Sequence, residues 1–144
     1  SIGPCYAEWW FGGADDVMQG ADASVVNLWK WHLAEEFEHR NVAYDVYQAL
    51  FGGYVFRIRA QYDFLRDLRL LTRDAVKYML TEDSSQMTAE EQAASRKRFT
   101  EIRDRESRFI RSRLARVLSP LYTPHKLRQP KGIAELLEQV DAAA

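Results

Sequence analysis

Apolar positions along this chain recur at intervals of three and four, and no stretch alternates apolar with polar residues between turn signals. Glycine and proline mark where each run stops, at Gly12-Gly13, Gly20, Gly52-Gly53, Pro120, Pro124, Pro130 and Gly132. The pattern predicts an all-α bundle of three to four long helices joined by short loops. A first segment, about residues 4 to 19, is short and weakly helical, because two glycines interrupt it. A second starts at Asp22 or Ser24, either of which can cap it, and runs to about Leu50 before Gly52-Gly53. Its apolar stripe is Val25, Leu28, Trp29, Ala43, Val46 and Leu50, which the spacing places against a core.

A third segment extends from Tyr54 to Leu80, followed by an expected loop over Glu82-Asp83-Ser84-Ser85-Gln86. Thr88-Ala89-Glu90-Glu91 is a capping box, in which threonine and glutamate satisfy each other's end amides. It opens a fourth helix that runs to about Leu118 and must end before Pro120. A short last helix is expected over Ile133 to Val140. The 144 residues are taken as a single helical domain, 1–144. The chain opens Ser1-Ile2-Gly3-Pro4 without an initiator methionine, which fits a processed chain or the C-terminal part of a longer architecture.

The second segment also carries the chemistry. In Trp31-His32-Leu33-Ala34-Glu35-Glu36-Phe37-Glu38-His39, a helix turning about 100° per residue places Glu35, Glu36 and His39 within about 60° of His32. Glu38 points elsewhere. The four share the sector of the apolar stripe, so burying the stripe would bury two carboxylates and two imidazoles. Unpaired buried charge is costly, and a metal cation neutralises it directly. Glu36-x-x-His39 is the ligand spacing of di-iron and di-manganese bundles. Glu35 is read as a further ligand, as the group that orients a ligating histidine, or as a catalytic base. Two zinc-hydrolase patterns fail: Leu33 follows His32 where one needs glutamate, and Glu36 follows Glu35 where the other needs histidine. Carboxylate-rich donors favour iron or manganese as the divalent transition metal.

The run from Trp31 to Tyr47, Trp-His-Leu-Ala-Glu-Glu-Phe-Glu-His-Arg-Asn-Val-Ala-Tyr-Asp-Val-Tyr, resembles the motif of the bacterial predicted metal-dependent hydrolases. Gly52-Gly53-Tyr54 and Arg57 resemble the same family. The resemblance implies a ferritin-like di-iron fold and metal ligands at His32, Glu36 and His39. It also implies a bridging ligand at Glu8, supplied by the preceding helix, although Trp9-Trp10-Phe11-Gly12-Gly13 departs from the family pattern. His32, Glu36 and His39 are similar as well to the iron set of arylamine oxygenases. Members of the hydrolase family are about twice as long, and no second Glu-x-x-His set occurs here. His125 lies between Pro124 and Lys126 and is expected to be structural or exposed. One chain therefore offers half of a dinuclear site, to be completed by a homodimer partner or a missing N-terminal half.

Three functions follow from this reading. In a hydrolase, the metal would acidify a bound water and a non-ligating glutamate such as Glu35 would take its proton. In an oxygenase, a reduced di-iron pair would activate oxygen. In a non-enzymatic interaction protein, the motif would survive as buried polar packing. The small-molecule substrate is not encoded in any recognisable pattern.

Composition removes other classes. A net charge of −1 gives no global attraction to nucleic acid or anionic membrane. No apolar run approaches the roughly 20 residues of a membrane span. A single cysteine, Cys5, excludes an internal disulfide and fits a reducing, cytoplasmic setting. Residues 96 to 116 hold nine Lys or Arg against three Asp or Glu, read as a solvated helix face and not a nucleic-acid surface.

Overall fold

A computed structural model describes residues 2–142. Among these, six α-helices and no strands form: α1 (Gly3–Gly12), α2 (Ala23–Glu38), α3 (Val42–Leu50), α4 (Tyr54–Ser85), α5 (Ala89–Val117) and α6 (Ile133–Asp141). The fold class is all-α. The chain divides into two compact units, residues 1–50 with 106–144, and residues 51–105.

Local chemistry sets several boundaries where expected. Asp22 Oδ1 accepts from the Ser24 amide at 2.8 Å and caps α2. The Thr88 amide donates to Glu91 Oε2 at 2.8 Å and the Glu91 amide to Thr88 Oγ1 at 3.3 Å, the reciprocal bonds of a capping box. Gly52, at φ 64°, follows α3 in the left-handed conformation that closes helices.

Three boundaries differ. The first segment, expected over about residues 4 to 19, is helical only to Gly12 and is followed by a 3-10 turn at Asp15–Met18. The helix expected from Asp22 to Leu50 is interrupted by a 3-10 turn at His39–Asn41. Arg40 Nη1 donates to the Phe37 carbonyl at 2.7 Å, and its guanidinium lies 4.3 Å over the Phe37 ring. The arginine thus satisfies a carbonyl at the helix end and holds the chain in its new direction. Residues 82–85 of the expected loop are instead the last turn of α4, and Gln86 follows as its C-cap. There Ser84 and Ser85 hydroxyls bond back to the Thr81 and Glu82 carbonyls, and Gln92 Nε2 caps the Ser84 carbonyl at 2.9 Å.

The first unit is organised around α1, the segment that reads as weakest in sequence. Ala7 packs with Leu33, Ala34 and Phe37 of α2 and with Ile133 of α6. Cys5 and Trp9 pack with Ala14 and with Ile110 of α5. Small residues at 5 and 7 allow close helix approach, while Trp9 fills the space toward Phe109, ring centroids 5.2 Å apart. A second anchor joins α3 to the chain after α5: the Tyr44 hydroxyl donates to the Tyr122 carbonyl at 2.9 Å, and His125 Nε2 lies 2.8 Å from Asp45 Oδ1.

The second unit is a helical hairpin of α4 and the first part of α5. None of its described residues is buried, and apolar side chains such as Leu71 (78% exposed) and Tyr62 (67%) face solvent.

Candidate metal centre

The face of α2 that carries the metal-ligand motif is not the face that enters the core. Leu33, Ala34 and Phe37 are buried, whereas His32, Glu36 and His39 are exposed and Glu35 is half-buried. The expected stripe is outward as well: Val25 is 62% exposed, Leu28 64%, Val46 54% and Leu50 68%. The expectation that this sector faces the core is therefore corrected. The periodicity of α2 supports two apolar faces, and the packing of α1 and α6 selects the one at 33, 34 and 37. The donors thus avoid the desolvation that would have demanded a cation.

The exposed donors lie among groups that position them. The His32 imidazole packs beside the Trp29 indole, with centroids 5.6 Å apart. Trp29 in turn meets Trp10 of α1 edge-on at 6.4 Å. His39 occupies the C-cap of α2, where its amide bonds the Glu35 and Phe37 carbonyls. Its side chain therefore leaves the helix at the break and not from a continuing turn.

Glu36 lies against the first turn of α1. A Cβ on Gly3 would come within 2.7 Å of Glu36 Oε2, so glycine there is what lets the carboxylate approach. A negative group beside a helix N-terminus is favoured by the peptide dipoles and unpaired amides. Beside the break, Arg40 Nε and Asn41 Oδ1 are buried with no hydrogen-bond partner among the described residues.

Glu8 is directed elsewhere. Residues 3, 7 and 10 of α1 meet α2, and Glu8 is turned about 100° from Ala7, toward α5. Arg113 Nε bonds Glu8 Oε2 at 3.1 Å, and Arg116 Nη2 bonds both oxygens at 2.8 and 2.9 Å. With the Glu8 side chain only 17% exposed, two guanidiniums supply the neutralisation a metal would otherwise give. Arg113 also stacks 3.3 Å from the centre of the Phe109 ring. By sequence alone both arginines belong to a segment expected to be a solvated face. Their i, i+3 spacing on one side of α5 was the available signal.

Nearby, burial pushes the Cys5 thiol up, reinforced by the Glu8 carboxylate, so this cysteine is held in its unreactive thiol form. Burial likewise raises the Glu106 carboxyl, and burial with Glu106 raises the Tyr6 phenol. His125 is exposed, as expected from its place between Pro124 and Lys126, and is engaged with Asp45.

Among the described residues, no three His, Cys, Asp or Glu side chains converge so as to hold one ion. The donor types at 32, 36 and 39 suit a borderline divalent metal, but their arrangement within one chain does not close a centre. Among the described residues, no helix is long and apolar enough to cross a membrane.

No curated protein and no solved structure matches the chain significantly. A family model does: the predicted metal-dependent hydrolases, over residues 2–127. That stretch contains α1 to α5, both core clusters apart from Ile133 and its α6 neighbours, and the whole α2 motif. The chain belongs to the predicted metal-dependent hydrolase family.

Proposed function

We propose that the chain supplies one side of a divalent-metal hydrolase centre, with His32, Glu36 and His39 as donors and further helices completing it. The observation that carries this reading is the character of the exposed face of α2 and α3. Three ligand-type side chains stand there among Val25, Leu28, Trp29, Val42, Val46 and Leu50, all exposed. An uncovered apolar rim around imidazole and carboxylate donors is the surface expected of a site whose other wall is supplied from outside. A second copy of the chain, or additional helices of a longer ferritin-like architecture, is the proposed cover. Iron or manganese is the proposed metal.

Glu35, half-buried and adjacent to Glu36, is the proposed proton acceptor. Glu8 joins the donors only in a state where Arg113 and Arg116 have released it. Metal analysis of the protein purified without chelator, at its native oligomeric size, tests the proposal. Near-stoichiometric iron or manganese that is lost in His32→Ala/His39→Ala supports it. Less than about 0.1 equivalent of any transition metal, together with unchanged melting on adding Mn²⁺ or Fe²⁺, overturns it.

A further inference from the structure

The first unit holds a second candidate site, away from the α2 donors. A groove of about 440 Å³ lies between α1, α5 and the segment leading into α6. Its apolar walls are the half-buried rings of Phe11 and Phe109, and its polar lining includes Glu8, Arg113, Arg128 and Lys131. The volume falls in the range of small-molecule sites.

Charge in this groove is strongly unbalanced. Glu8 is its acid, and both oxygens of Glu8 are already held by Arg113 and Arg116. Arg113 is spent on that bond and on its stack over Phe109. Arg128 and Lys131 remain, and no ion pair or hydrogen bond engages either among the described residues. Their backbone is nonetheless well placed. Gly132, at φ 89°, turns the chain into α6, and a Cβ there would lie 3.6 Å from the Phe11 ring. The same ring that walls the groove therefore lies beside the turn that carries Lys131. Two exposed cations without a protein partner, beside two aromatic faces, are complementary to an anion with a flat apolar body. Both cations lie beyond residue 127, outside the stretch matched to the family, whereas the aromatic walls and Glu8 lie within it.

We propose that this groove binds a small organic anion, a carboxylate or phosphate ester on an aromatic or similarly flat apolar body. Its acid group pairs with Arg128 and Lys131, and its body lies against Phe11 and Phe109. Trp9, one of four tryptophans, packs on Phe109, so occupancy should change the tryptophan fluorescence.

The test titrates the full chain with benzoate, phenyl phosphate, inorganic phosphate and neutral benzyl alcohol, followed by tryptophan fluorescence and calorimetry. Benzoate or phenyl phosphate should bind at least about tenfold more tightly than both benzyl alcohol and inorganic phosphate, since charge and apolar contact each contribute. Arg128→Gln/Lys131→Gln, both at exposed positions, should weaken the anion about tenfold or more with unchanged helical signal and melting. Equal binding of benzyl alcohol, or unchanged affinity in the double variant, overturns the proposal. Preference for inorganic phosphate over phenyl phosphate also overturns it, because the aromatic walls would then have no role.

Discussion

Both faces of α2 carry large apolar side chains, yet the two have opposite fates. One face, Leu33, Ala34 and Phe37, is fully enclosed by α1 and α6. The other, from Val25 and Leu28 through His32 and Glu36 to His39, is open to solvent. Their apolar residues alone do not distinguish them. What does is complementarity: Ala34 and Ala7 let α1 and α2 approach closely, and Phe37 then fills the remaining space without exposure. The outward face carries large side chains beside charged ones, so nothing in its own unit can cover it without stranding a carboxylate or an imidazole. The inner face holds the unit together, and the outer face is available for a ligand or a partner.

The contrast can be broken most forcefully from the inside. Phe37→Ala should lower unfolding free energy by about 3–5 kcal/mol, read by urea denaturation, because it opens a cavity at a fully enclosed position. Leu28→Ala, on the open face, should change the same quantity by less than about 0.5 kcal/mol. Comparable losses at the two positions would mean that the outer face is covered in solution.

The next effect concerns how charge is neutralised on each side of α1. Glu8→Ala should cost about 1–2 kcal/mol, discounted for the partial exposure of both arginines, and should become smaller in high salt. No change in melting would mean that the two guanidiniums do not hold Glu8 in solution.

Gly3→Ala probes the approach of Glu36 to α1. The added methyl group collides with the end of a flexible, exposed side chain, so stability should move by less than about 0.5 kcal/mol while the carboxylate swings away. A loss above about 2 kcal/mol would show Glu36 to be wedged in place.

The smallest effect is a pH dependence on the buried side. Burial raises the Glu106 carboxyl in the folded protein. Between its ordinary value and that raised value the native state binds more protons than the unfolded chain, so stability falls as pH rises through this window. Glu106→Gln removes the penalty. The variant should melt higher than the parent at neutral pH, with the difference shrinking as pH drops into the ordinary glutamate range. A constant difference across that range would assign the effect to packing and not to ionisation.

Helix ends were the most legible part of the chain. Asp22, Thr88 with Glu91, and Gly52 act through bonds to residues a few positions away, so their effect is written locally. The break at His39–Asn41 was not legible, because the Arg40 bond to the Phe37 carbonyl competes with an otherwise favourable helical continuation. The role of α1 was also hidden. Its glycines lower helix propensity, and its contribution depends on neighbours from α2, α5 and α6, all distant in sequence. For the metal motif, residue spacing placed His32, Glu36 and His39 in one sector, but it did not state which way that sector points. Nor did it show that Glu8 faces two arginines more than a hundred residues away.

Periodicity and end-capping residues by themselves determined that the chain is all-α and where most helices start. These depend on contacts within one or two turns, which composition and spacing encode directly. Tertiary structure alone decided that Leu33, Ala34 and Phe37 form the core while the donors remain outside, and that Glu8 is neutralised by arginine. Those outcomes depend on which distant surfaces fit without voids or unpaired charge, and shape and pairing of that kind are properties of the packed molecule.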